Sequence, residues 1–373
     1  MDLFDSPFGQ FKLLPLHYHP KSPQQAWSAA DTLLLKEIAQ AEPAPERILL
    51  VNDLHGALGT CLHHRRPFSW NDSFSSKLAL QQNLRRNQLS FAPDHFLEST
   101  EQPQGQFDAV LIRLPKTLSL LEYQLTRLRP LLTPQTRLIG AGMVKHLSKS
   151  MVQCFERIIG PASTSLASQK ARLVFAQLDP ALQPPTPQPV RYGIPGTELQ
   201  LLNYANVFSQ QQLDMGTRFL LEHFPDVSAA QHVLDLGCGN GALACFAGHK
   251  NPAAMLSLLD DSWLALQSAR ESIELNGLKN PCEYLAADGL DGFEDRVDLI
   301  LCNPPFHDGS RLDSNIALRM FKGSKRCLKE DGKLVVVGNR HLNYHQTLKP
   351  HFKDVELTAS NPKFVILTAS RPR

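Results

Sequence analysis

The two halves of this 373-residue chain echo one another. With Leu58 set against Leu243, Ile48-Leu-Leu-Val-Asn-Asp-Leu-His-Gly-Ala-Leu-Gly lies over Val233-Leu-Asp-Leu-Gly-Cys-Gly-Asn-Gly-Ala-Leu-Ala. Asp72-Ser73-Phe74 then faces Asp261-Ser262-Trp263, and Asn87 faces Asn276. Asp108-Ala-Val-Leu-Ile faces Asp298-Leu-Ile-Leu-Cys, Lys145-His146-Leu147 faces Arg340-His341-Leu342, and Arg172-Leu-Val-Phe faces Lys363-Phe-Val-Ile. The order is kept and the shift drifts by only a few residues. Such self-similarity is expected of two tandem copies of one domain, and the chain is long enough for both.

Each copy alternates apolar strand-like runs with helix-like segments. In the second, strands are expected at His232–Leu236, Met255–Asp260, Glu283–Ala286, Leu299–Cys302, Lys333–Gly338, Val355–Ala359 and Phe364–Ala369, with helices such as Leu264–Leu275 and Ile316–Leu328 between them. That alternation predicts an α/β fold, a mostly parallel sheet covered by helices on both faces. Only Ser360-Asn-Pro-Lys363 separates the last two strands, so they should close as an antiparallel hairpin. Prolines 180, 184, 185, 187, 189 and 195 crowd one stretch. They remove donors and restrain their neighbours, which predicts a semi-rigid linker over 181–196 between domains at 1–180 and 197–373.

The copies differ in their chemistry. Where the second has Gly237-Cys238-Gly239-Asn240-Gly241, the first has Asn52-Asp53-Leu54-His55-Gly56. Where the second has Asn303-Pro304-Pro305-Phe306, the first has Arg113-Leu-Pro-Lys116. A site that has lost its permissive glycines and its polar reader should have lost its ligand, so the first domain is expected to hold no cofactor.

In the second copy a strand ends in Asp235 and a glycine-rich turn opens a helix. The third glycine comes one residue too early for the dinucleotide fingerprint, and no Lys-Ser/Thr follows to make a P-loop. A carboxylate at that place repels a pyrophosphate and attracts a cation. S-adenosylmethionine carries a sulfonium and an ammonium and no phosphate. The motif Asp235-Leu-Gly-Cys-Gly-Asn-Gly241 resembles the first motif of class I methyltransferases, and two further strand-end acids stand at suitable spacing. The resemblance implies two Rossmann-like methyltransferase domains with seven-stranded sheets. It implies that Asp260, more than Asp261, binds the ribose hydroxyls and that Asp288 sits near the adenine amine. Asp235, Gly237, Cys238, Gly239, Asn240, Gly241 and Asn303 would line the donor, and Phe208 and Thr217, upstream, would cap it.

Asn303-Pro-Pro-Phe306 follows the fourth strand directly. The prolines stiffen the turn and remove donors, leaving acceptors beside a ring that can stack on a base. Acceptors beside a stacking ring suit an exocyclic amine. The motif resembles the (Asn/Asp/Ser)-Pro-Pro-aromatic signature of methyltransferases acting on amines of nucleobases or of protein glutamine. Asn303, Pro304, Pro305 and Phe306 are therefore the catalytic candidates.

A degenerate copy ahead of an active one resembles, over essentially the whole chain, the bacterial ribosomal-RNA guanine-N2 methyltransferases of the RsmC/RlmG type. Gln25–Asp31, Leu114–Glu122 and Ala205–Ser209 look like the large-subunit (23S) branch. The resemblance implies methylation of one guanine amine, with the front domain helping to bind RNA. Small-subunit (16S) RNA, DNA and protein glutamine remain alternative substrates.

Arg65, Arg66, Arg85, Arg86, Arg113, Lys116, Arg340 and His341 are the candidate RNA contacts. The net charge of +2 gives little guidance about partners. The seven cysteines include no Cys-x-x-Cys pair, so free thiols in a reducing compartment and no metal are expected. No apolar run reaches the length of about 18 residues that spans a bilayer. The start, Met1-Asp-Leu-Phe-Asp5, lacks the features of a secretion signal. A cytoplasmic monomer is expected.

Overall fold

The computed structural model describes residues 3–19, 24–305 and 311–373, with the side chains of 311–315 left aside. The chain divides into two compact units, Met1–Gln188 and Pro189–Arg373.

In the first unit the strands are β1 (Leu3–Ser6), β2 (Gly9–Lys12), β3 (Ile48–Val51), β4 (Phe68–Asn71), β5 (Phe96–Glu98), β6 (Ala109–Arg113), β7 (Arg137–Met143), β8 (Ala162–Thr164) and β9 (Ala171–Ala176). Its helices are α1 (Ala29–Ala39), α2 (Ala57–Cys61), α3 (Phe74–Arg86), α4 (Leu118–Leu128) and α5 (Lys149–Ile158). The second unit has β10 (Val190–Gly193), β11 (Gln200–Asn203), β12 (His232–Leu236), β13 (Met255–Asp260), β14 (Cys282–Ala286), β15 (Val297–Cys302), β16 (Leu328–Asn339), β17 (Phe352–Ser360) and β18 (Phe364–Pro372). Its helices are α6 (Met215–Glu222), α7 (Ala242–Lys250), α8 (Trp263–Leu275), α9 (Arg311–Cys327) and α10 (Tyr344–Leu348).

Both units carry the same seven-stranded sheet. The orders are β5-β4-β3-β6-β7-β9-β8 and β14-β13-β12-β15-β16-β18-β17. The first five strands of each are parallel neighbours; β9 and β18 run against them, and each edge strand, β8 or β17, pairs antiparallel to that reversed strand. The central strands are mostly apolar because both faces are covered. In β3, Ile48 and Leu50 enter one core while Leu49 and Val51 enter the other. In β12, Val233 packs on one side and Leu234 and Leu236 on the other.

The duplication extends further than the sequence showed. Each unit adds an antiparallel hairpin, β1–β2 or β10–β11. Each hairpin is clasped by the paired asparagines at the ends of α3 and α8. Asn87 accepts from the Lys12 N–H at 2.8 Å and donates to its carbonyl at 2.9 Å. Asn276 accepts from the Gln200 N–H at 2.8 Å and donates to its carbonyl at 2.7 Å.

One expectation changes here. Residues 190–193, read as linker, form β10 and belong to the second unit. Pro189 and Pro195 fall outside the strand, so it keeps every N–H it needs for pairing.

Candidate active site

Four neighbouring strands of the second sheet bring their carboxyl ends together. The glycine turn follows β12, Asp260 ends β13, Asp288 follows β14 and Asn303 follows β15. From β12 the chain steps outward on one side through β13 and β14, then crosses back to lay β15 against the other side of β12. Open α/β sheets form their ligand crevice at such a switch point.

Gly237, Gly239 and Gly241 all have left-handed backbones, with φ of 73°, 53° and 77°. The Gly237 and Cys238 N–H groups donate to the Leu259 carbonyl at 2.8 and 3.0 Å, which ties the turn to β13. A Cβ on Gly241 would stand 2.9 Å from the Ala269 Cβ, where α7 meets α8. A Cβ on Gly239 would meet nothing within 4 Å, and one on Gly237 only the Met320 methyl at 3.3 Å. The third glycine therefore serves packing, while the first two leave backbone open to a ligand.

The carboxylates differ in environment. Asp260 Oδ2 accepts the Gly239 N–H at 2.9 Å, and Oδ1 accepts the Ser262 N–H at 2.9 Å. Asp261 lies beside it, half-buried. Asp235 is 2 % exposed; Oδ2 accepts the Ala244 N–H at 3.0 Å, and Oδ1 has no hydrogen-bond partner among the described residues. Burial pushes its carboxyl up to about 8. Asp288 is buried, and its Oδ1 lies 2.7 Å from the Arg319 guanidinium on α9.

Asn240 turns its side chain away from the turn's open face. Nδ2 donates to Tyr192 Oη and to Asn203 Oδ1, both at 2.8 Å. Tyr192 in turn donates to the Ser209 carbonyl at 2.9 Å, so one chain of bonds joins the glycine turn, the β10–β11 hairpin and the loop carrying Phe208. Phe208 is half exposed. The Cys238 thiol is buried and pushed far up by that burial, as is Cys302; neither is placed to act as a nucleophile.

Asn303 meets α6. Its Nδ2 donates to Asp214 Oδ2 at 3.0 Å and to Thr217 Oγ1 at 2.8 Å. Its Oδ1 is buried and has no hydrogen-bond partner among the described residues. Pro304 is buried and Pro305 half-buried. Phe306 lies outside the described residues.

The first unit carries the same frame with its pocket positions filled. Asn52, standing where the second copy has Gly237, keeps the left-handed backbone at φ 61°. Its Nδ2 donates to the Arg113 carbonyl and to Gln124 Oε1, both at 2.9 Å. Arg113, standing where the second copy has Asn303, is paired through Nε with Asp31 at 3.1 Å. Burial raises the Asp53 carboxyl to about 7, and its Oδ2 accepts the Gly59 N–H at 2.7 Å.

Two family models divide the chain as the two copies do. Residues 1–180 match the RLMG N-terminal domain, and residues 198–368 match the methyltransferase small domain. The ribosomal RNA large subunit methyltransferase G of Ectopseudomonas mendocina is 44% identical over 374 residues, covering 100% of both chains. The protein of the same name from Pseudomonas aeruginosa (strain UCBPP-PA14) is also 44% identical with the same coverage. The chain belongs to the ribosomal RNA large subunit methyltransferase G family. The family's fold is seen in a solved structure, the T. thermophilus 16S rRNA N2 methyltransferase RsmC in complex with AdoMet and guanosine. It superposes with a TM-score of 0.77 over 99% of this chain and 97% of that one, at 21% identity.

Against that family background, the basic candidates separate by environment. Arg66, Arg85, Lys116, Arg340 and His341 are exposed. Arg65 donates to the Pro45 carbonyl at 2.6 Å, Arg86 to Asn83 Oδ1 at 2.9 Å, and Arg113 holds Asp31, so these are engaged within the fold; exposed Arg340 also donates, to the Asn361 carbonyl at 2.9 Å. Among the described residues no helix is long and apolar enough to cross a membrane, and no cluster of three His, Cys, Asp or Glu could hold a metal.

Three participants escaped the sequence reading: Tyr192, Asp214 and Arg319. Asp214 had a visible signal. It stands three residues before Thr217, and its carboxylate accepts the Thr217 N–H at 2.8 Å to cap α6.

Proposed function

We propose that this protein transfers the methyl group of S-adenosylmethionine to the exocyclic N2 amine of a guanine in 23S ribosomal RNA. The observation that carries the reading is Asn303 at the carboxyl end of β15, with its amide nitrogen engaged and its carbonyl oxygen unpaired. Membership in the family supports the substrate class.

The residues fit the donor. The open backbone at Gly237 and Gly239 admits a ligand without a Cβ in the way. Asp260 is anchored at the strand end, where ribose hydroxyls would be bound, and Asp288 with Arg319 borders the same crevice. Gly241, Asn240 and Cys238 hold the turn's shape, and Asp261 and Phe208 flank it. When bound, the donor supplies an electrophilic methyl on a positively charged sulfur.

The chain's own residues do the rest. Asn303 Oδ1 accepts an N–H of the target amine, which fixes the nitrogen's orientation toward the methyl. Pro304 and Pro305 keep that loop stiff. The acceleration comes from alignment and fixed dipoles. As the carbon–nitrogen bond forms, the donor's carbon–sulfur bond would break to leave a neutral thioether, and the proton lost by the amine would pass to water. An unpaired guanine is favoured, since splaying a paired base into the crevice costs unstacking energy. The front domain, 1–180, grips RNA without a cofactor of its own; the Arg113–Asp31 and Asn52–Gln124 pairs that fill its pocket support this. Arg66, Arg85 and Lys116 are its exposed contacts, with Arg340 and His341 in the second unit.

The test is methyl transfer from labelled donor with deproteinised 23S RNA, 16S RNA, DNA and a release-factor protein in competition. Label is expected in 23S RNA. Label confined to DNA, protein or 16S RNA overturns the assignment.

A further inference from the structure

We propose that Asp214, together with Thr217, is the positioning pair that decides which end of the Asn303 amide faces the substrate. This rests on the reading of Asn303 as the acceptor of the target amine. The two ends of an asparagine amide are nearly the same size, and only its hydrogen-bond partners choose between them. A carboxylate oxygen accepts and does not donate. Asp214 Oδ2 already receives the Thr217 N–H at 2.8 Å, and the Asn303 amide meets it at 3.0 Å. Turning the amide round would set oxygen against oxygen there. The NH2 end therefore faces Asp214 and Thr217 Oγ1, and the oxygen is left as an unpaired acceptor.

The same helix adds no side chain beside that oxygen. Gly216 sits between the two positioning residues, and a Cβ there would stand 3.7 Å from Asn303 Oδ1. A reversed amide would offer donors to an amine that needs an acceptor, so the wrong orientation binds the target less well and aligns it worse.

The decayed copy shows the three positions changed together. Ser28 replaces Asp214 as the cap, Asp31 stands where Thr217 does, and Arg113 stands where Asn303 does. Asp31 Oδ2 accepts the Ser28 N–H at 2.7 Å, and its Oδ1 takes the Arg113 charge. That arrangement stabilises the helix start and offers no unpaired carbonyl oxygen.

The experiment measures kcat, the KM for 23S RNA, donor affinity by calorimetry and thermal midpoint in the full-length enzyme. Asp214→Ser keeps a good helix cap but supplies a hydroxyl that can serve either end of the amide. Thr217→Val removes the acceptor with little change in shape, and Thr217→Ser restores it. Asp214→Ser and Thr217→Val are expected to lower kcat at least about tenfold with donor affinity within about twofold, and Thr217→Ser to recover most of the rate. A kcat that is unchanged, or that falls only in step with donor affinity or thermal midpoint, overturns the positioning role. Asn303→Ala is the reference. If it keeps full rate, the acceptor reading itself fails. If it slows while the Asp214 and Thr217 variants do not, only the positioning role fails.

Discussion

Gly56 and Gly241 adopt the same left-handed backbone, φ 72° and 77°, at the starts of α2 and α7. In each copy a side chain there would strike the next helix, Leu80 Cα at 2.5 Å in one and Ala269 Cβ at 2.9 Å in the other. The other two glycines of the motif have no such neighbour, and the first copy has replaced them with Asn52 and the exposed Leu54. The duplication has thus separated the glycine that helix packing needs from the two that packing does not need.

Alanine substitutions should sort the same way. Gly56→Ala and Gly241→Ala each combine a left-handed backbone with a clash, and should cost about 2–4 kcal/mol of stability. Gly239→Ala carries only the backbone term, about 1–2 kcal/mol, and should act mainly on donor affinity. Denaturant melts and calorimetry separate the two effects. Donor affinity untouched in Gly239→Ala would remove that backbone from the binding surface.

Asp260→Ala should weaken S-adenosylmethionine at least about tenfold, the loss expected when a charge-assisted hydrogen bond of about 1.5–3 kcal/mol disappears. Calorimetry on the free enzyme checks it. An unaltered dissociation constant means that Asp260 only holds the glycine turn, through its 2.9 Å bond to the Gly239 N–H.

Arg113→Ala should leave the 8 %-exposed Asp31 side chain without its cation. The cost should be about 1–3 kcal/mol, less than for a fully buried pair because Arg113 is partly solvated. Donor affinity should not change if, as proposed, the front domain holds no donor. A variant that loses donor binding at unchanged stability would show that the front unit contributes to it.

Asp235 and Asp53 set a pH dependence. Burial raises their carboxyls from 3.8 to about 8 and about 7. The folded state therefore holds protons that the unfolded chain has released, and stability falls as pH rises from about 4 toward those values. Each group contributes up to about 1.4 kcal/mol per pH unit in that window. Thermal midpoints of the unliganded protein should drop between pH 5 and 8, and Asp235→Asn and Asp53→Asn should flatten the slope. A midpoint that rises over that range, or slopes identical in the variants, contradicts the assignment.

Much of this was legible from residue order. β12 and β15 stood out because short, mostly apolar runs between turn signals mark strands buried on both faces. The glycine motif and Asn303 were legible because backbone freedom and a stiffened acceptor are local properties. Contacts across the chain were not. Asp214 and Asn303 lie 89 residues apart, and nothing local in either announces the other. The Asp288–Arg319 pair is hidden in the same way. Asn240 read as part of the donor site, but only the placement of β10 and β11 shows its side chain holding Tyr192 and Asn203. The hairpin itself was masked by the prolines around it.

The most direct measurement is mass spectrometry of nucleosides from 23S RNA incubated with the protein and S-adenosylmethionine. One new N2-methylguanosine per RNA, absent with Asn303→Ala, is the result expected. A methyl group on a ribose, a ring carbon or another base contradicts the account.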